Sequence, residues 1–77
     1  MKLELYQMLQ DEALADKSKA ILSLKLLSEH PAGIGDHSTE DYYKNAQEAL
    51  KKLASADERL EILAKYFSPD KSILNGW

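Results

Sequence analysis

The sequence predicts an all-α protein in which two long helices form an antiparallel hairpin, and two hairpins assemble into a dimeric four-helix bundle. Three observations support this. Two long stretches lack proline and glycine, a segment containing both residues separates them, and apolar residues in the second stretch recur at steps of three and four. At 77 residues the chain is one domain, and so small a core usually needs reinforcement by a partner.

The first predicted helix covers residues 3–29, where alanine, leucine, lysine, glutamate and glutamine favour helix formation. At about 100° per residue, Leu22 and Leu26 point nearly opposite to the main apolar face of this helix. One neighbouring helix cannot cover both faces, so either a second copy of the chain or the C-terminal tail must cover the second one. The main face carries Tyr6, Ala13, Ala20, Leu24 and Leu27.

Residues 30–38 form the predicted loop between the helices. Pro31 disfavours helical geometry at His30, and Gly33 and Gly35 permit backbone angles that other residues avoid. The chain is therefore expected to turn here and to bring the second helix back against the first.

The second predicted helix covers residues 39–67. Ser38 and Asp41 are spaced as in a capping box at its start, and Pro69 follows its end. Its apolar positions form one stripe, in which small alanines would allow a close approach to the first helix. The stripe consists of Tyr42, Ala46, Ala49, Leu53, Ala56, Leu60, Leu63 and Phe67. The remaining face, which includes Arg59, is expected to be solvated.

The tail, residues 68–77, carries bulky apolar groups after the proline, and such groups are costly to leave in water. It is expected to dock on its own chain or in a groove of another protein. The predicted interaction surface combines the tail with the outward leucines of the first helix and two residues on the outer side of the second. The predicted interface residues are Leu22, Leu26, Ile62, Tyr66, Ile73, Leu74 and Trp77.

The loop is also a candidate ligand site, because amides freed by glycine at a helix N-terminus can hold a phosphate or carboxylate. Against a nucleotide site, the lysine of a Walker A motif is missing, and Asp36, Glu40 and Asp41 would repel an anion. Whether this segment is a binding site or only a tight turn stays open. The candidate ligand-binding residues are Gly33, Gly35, Asp36, His37, Ser38 and Thr39.

Metal binding and catalysis receive little support from the pattern of residues. His30, Asp36 and His37 could supply nitrogen and oxygen ligands, but the histidines flank a turn and no ligand pair has helical spacing. An acid-base pair such as Asp36 and His37 would also need a substrate cleft that a helical hairpin scarcely provides. The sequence therefore predicts no catalytic residue, no metal and no cofactor.

Composition argues against several classes of partner. The net charge of -3 is made of interspersed acidic and basic residues, without the basic run that nucleic-acid binding requires. The N-terminus lacks the apolar stretch of a signal peptide, and no apolar segment is long enough to cross a bilayer. The absence of cysteine fits a cytoplasmic chain.

Residues 21–43 and 56–63 resemble small helical proteins encoded by tailed phages, particularly those of marine bacteria, with the most specific similarity at residues 33–38. The resemblance implies a phage accessory protein, located in the host cytoplasm, that binds a host protein or sequesters a host signalling molecule. Taken together, we expect a homodimeric binding or regulatory protein. The alternatives are a protein that sequesters a nucleotide or another anion through residues 33–39, and a structural component of a phage particle.

Overall fold

The structure, a computed structural model, describes residues 1–29 and 39–69. It contains two long helices that pack against each other along their length, α1 (Leu3–Glu29) and α2 (Thr39–Phe67). The prediction of an all-α helical hairpin is thereby confirmed. Neither helix in the described ranges is long and apolar enough to cross a membrane.

Helix α1 contains no proline or glycine that would interrupt it. Its first turn is closed by a 3.0 Å hydrogen bond from the Tyr6 backbone amide to the Lys2 carbonyl oxygen. Three side chains of α1 are buried, and they are spaced seven residues apart, which corresponds to nearly two helical turns. These residues are Tyr6, Ala13 and Ala20. The face predicted for contact with the second helix is therefore the buried face.

Helix α2 has charges that complement its dipole. Glu40 and Asp41 lie in the first turn, where the helix end is positive, and Lys65 lies in the last turn, where it is negative. Its buried residues also recur every seven positions, and they belong to the predicted apolar stripe. These residues are Ala49, Ala56 and Leu63. Phe67, at the end of that stripe, is instead exposed.

The contacts between the helices define an antiparallel register. Near the loop end, the Tyr42 hydroxyl donates a hydrogen bond to the Leu27 carbonyl oxygen. Since the buried residues of both helices repeat every seven positions, this contact places Ala49 opposite Ala20 and Ala56 opposite Ala13, and Leu63 opposite Tyr6 at the open end. Asp57 and Arg59 lie on opposite sides of the α2 face that carries Ala56. Both form ion pairs with α1 that agree with this register.

Alanine dominates the contact between the two helices. Four of the six residues buried within the described ranges are alanines, and Ala13 and Ala56 at the centre are 0 % exposed. Small side chains let two helices approach closely, but they remove little apolar surface from water. The hairpin therefore packs tightly along its axis while leaving most of its large apolar side chains outside the core.

Candidate interaction surfaces

Helix α1 carries a second stripe on the side away from its core face. Its members follow each other at steps of three and four residues, the spacing of a helix face that packs on another helix. All are exposed, Leu22 by 59 % and Leu26 by 51 %. We call this surface the outer stripe; it consists of Leu5, Met8, Glu12, Ala15, Lys19, Leu22 and Leu26. The prediction that Leu22 and Leu26 point away from the core face agrees with their exposure.

Arg59 links α2 to the inner edge of the outer stripe. One of its terminal nitrogens lies 2.9 Å from an Asp16 carboxylate oxygen, and the other lies 3.8 Å from Glu12. Its Nε also donates a 3.3 Å hydrogen bond to the Ser55 carbonyl oxygen. Arg59 was expected on the solvated face; its side chain keeps 37 % exposure, but it also reaches across to α1 and lies between two carboxylates.

The opposite side of the hairpin holds the second apolar surface. At its centre, the Lys17 ammonium lies 2.9 Å from an Asp57 carboxylate oxygen. Residues three, four or seven positions from these two share their side of the helices. We call this surface the Lys17 side; besides the ion pair it includes the exposed Leu14 and Leu50 and the half-buried Ile21, Leu53 and Leu60.

The structure separates two pairs of predicted interface residues within one chain. Leu22 and Leu26 lie in the part of α1 near the loop, whereas Ile62 and Tyr66 lie at the open end of α2. Ile62 and Tyr66 follow Arg59 by three and seven residues, so they lie on the same side of the hairpin as Arg59 and the outer stripe, which we call the Arg59 side. Both are exposed, by 41 % and 61 %. A single hairpin therefore presents apolar groups at both of its ends.

Leu5 and Met8 join Ile62 and Tyr66 at the open end. They precede Glu12 by seven and four residues, and Glu12 faces Arg59, which places all four side chains on the same side. Leu5 is 46 % and Met8 is 52 % exposed. These two residues were not among the predicted interface residues, although their spacing from Leu22 and Leu26 was a signal present in the sequence.

A groove of about 990 Å³ runs between the helices on the Arg59 side, from the ion pairs toward the loop. Leu22, Leu26 and Leu27 form its apolar part on α1, while α2 contributes polar groups such as Asn45 and Ser55. The groove is an open trough along the hairpin, and it borders the outer stripe. A protein bound to the outer stripe would therefore also cover part of this groove.

Most candidate residues of the loop and the tail lie outside the described ranges. Thr39 is the first residue of α2. Among the described residues, no group of three or more histidine, cysteine or acidic side chains is placed to hold a metal ion. The other candidates outside the described ranges are His30, Gly33, Gly35, Asp36, His37, Ser38, Ile73, Leu74 and Trp77.

Comparison of the chain with protein-family models, with curated proteins and with solved structures finds no match.

Proposed function

We propose that this protein is a small non-enzymatic binding protein of the cytoplasm, which works by associating with itself and by presenting a surface of the resulting dimer to another protein. The assembly would be a bundle of four helices from two hairpins. No catalytic residue and no cofactor take part in this proposal.

The observation that carries the proposal is the distribution of large apolar side chains. Twelve of them are exposed on the described part of the chain, whereas the buried core consists of four alanines, one tyrosine and one leucine. Large apolar side chains exposed in this number favour association because burying them removes them from water. Six of the twelve lie on the Arg59 side and two lie on the Lys17 side, so we assign one surface to self-association and the other to a partner.

The Lys17 side is the candidate surface for that partner. Leu14 and Leu50 are exposed by 46 % and 58 %, and the Lys17–Asp57 ion pair sits between them. An apolar surface with a neutralised polar centre suits an amphipathic helix of another protein. The resemblance to phage-encoded proteins favours a host protein as the source of such a helix.

The experiment that tests the proposal is light scattering coupled to size-exclusion chromatography, on the full chain and on a version truncated after Phe67. We expect both to be dimers, because the exposed apolar surfaces that drive association belong to the helices. A full chain that is monomeric, together with a truncated chain that associates, would contradict the proposal. The tail, rather than a second copy, would then cover the apolar surface.

A further inference from the structure

We propose that the outer stripe of α1 binds the outer stripe of a second copy of this chain, with the two α1 helices antiparallel and a two-fold axis beside Ala15. This inference rests on the proposed self-association and specifies its surface and its orientation. Three observations support this contact: the order of residues in the stripe, the charges on it and the size of its central residue.

The outer stripe is symmetric about its centre. Met8 and Leu22 each lie seven residues from Ala15, while Glu12 and Lys19 lie three and four residues from it. A two-fold axis beside Ala15 brings together residues that are equally distant from the axis on the two copies. The apolar end of one stripe therefore meets the opposite, also apolar, end of the other.

The charges on the stripe distinguish the two possible orientations. In the antiparallel orientation, Glu12 of each copy lies within about one helical turn of Lys19 of the other copy, which gives two attractive pairs. In the parallel orientation, Glu12 would face Glu12 and Lys19 would face Lys19, and both pairs would repel. Charged residues at core positions of a helix pair select one arrangement in this way, at some cost in stability.

Both charged groups are available for such a pair. Glu12 is 63 % exposed at its side chain, and its contact with Arg59 is long, at 3.8 Å. Lys19 forms no ion pair with any residue in the two described ranges. The Lys17 side differs in this respect, because Lys17 and Asp57 already neutralise each other within the chain at 2.9 Å. The central ion pair of that side is therefore already satisfied within one chain.

The central residue permits a close approach of the two helices. Ala15 is exposed. Its methyl group is as small as those of Ala13 and Ala56, which meet where α1 and α2 pack within one chain. With alanines at the axis, the leucines and methionines at both ends of the stripe can interdigitate. Leu22 and Leu26 of one copy then pack against Leu5 and Met8 of the other, near Ile62 and Tyr66.

A cysteine placed at the axis tests the geometry directly, because the chain has no cysteine of its own. A disulfide forms only when the two Cα atoms come within about 7 Å, which the proposed axis allows at residue 15 and at few other exposed positions. Ala15→Cys is expected to give a covalent dimer on mild oxidation. Ala54→Cys is the matched control, since Ala54 is exposed at the same level of the hairpin but on α2.

A charge exchange tests the orientation. Lys19→Glu turns two attractive pairs into two repulsive ones and is expected to raise the dimer dissociation constant about tenfold. Adding Glu12→Lys to the same chain restores opposite charges and is expected to return the dissociation constant close to that of the unmodified protein. Circular dichroism on each variant checks that its helix content is unchanged.

The outcomes separate this inference from the proposed function. If the unmodified chain is dimeric but Ala15→Cys cross-links no better than Ala54→Cys, or Lys19→Glu leaves the dissociation constant unchanged, the inference is wrong and self-association stands on another surface. If the unmodified chain is monomeric, both are wrong. Cross-linking at Ala15 together with restoration by the double charge exchange supports the inference.

Discussion

Replacement of Ala56 by leucine is expected to lower the free energy of unfolding by about 2 kcal/mol and the melting temperature by about 10 °C. Ala56 is 0 % exposed and lies opposite Ala13, which is also 0 % exposed, so the space between the helices holds no larger side chain. A leucine there forces α1 and α2 apart and weakens the packing of Ala20 and Ala49 on one side. Thermal denaturation followed by circular dichroism measures the effect.

The control for this prediction is Ala54→Leu. Ala54 lies two residues away on the same helix and is exposed, so the same substitution there changes helix propensity without changing the interhelical contact. We expect its melting temperature to stay close to that of the unmodified chain. Equal melting temperatures for Ala56→Leu and the unmodified chain would contradict the close alanine packing described above.

The double substitution Leu22→Asp and Leu26→Asp is expected to dissociate the dimer, with an increase of the dissociation constant on the order of 100-fold or more. These side chains are 59 % and 51 % exposed on a single hairpin, and the proposed dimer would remove them from water. A carboxylate at either position would have to be buried without a partner. Sedimentation equilibrium at several concentrations measures the change.

A variant with the same added charge provides the comparison. Gln47→Asp with Ala54→Asp also adds two negative charges, at exposed positions of α2 that lie outside the outer stripe. We expect this variant to remain dimeric, and both variants to keep the helix content of the unmodified chain. Dissociation of both variants to the same extent would attribute the effect to net charge and would count against the outer stripe as the contact.

The hairpin could be predicted because its signals are local. Long stretches free of proline and glycine define the helices, Pro31 and the loop glycines separate them, and the steps of three and four in α2 identify its buried face. The exposure of Leu22 and Leu26 could be predicted in the same way, because the two leucines lie opposite Ala13 and Ala20 on the helix.

The role of Arg59 could not be predicted from one helix considered alone. Its position beside the apolar stripe fits a solvated residue equally well until the register of α1 is known. Only the antiparallel alignment places Asp16 at 2.9 Å and Glu12 at 3.8 Å from its guanidinium group. The same alignment places Leu22 and Leu26 far from Ile62 and Tyr66 within one hairpin. In the proposed dimer, these two pairs come together from different copies.

The proposed dimer requires that a second copy of the chain cover the apolar side chains that the hairpin leaves exposed. Sedimentation equilibrium of the unmodified 77-residue chain at micromolar concentrations is the direct test. We expect a species with twice the 8.7 kDa mass of one chain, in a concentration-dependent equilibrium with the monomer. A single species of 8.7 kDa over the whole concentration range would contradict it.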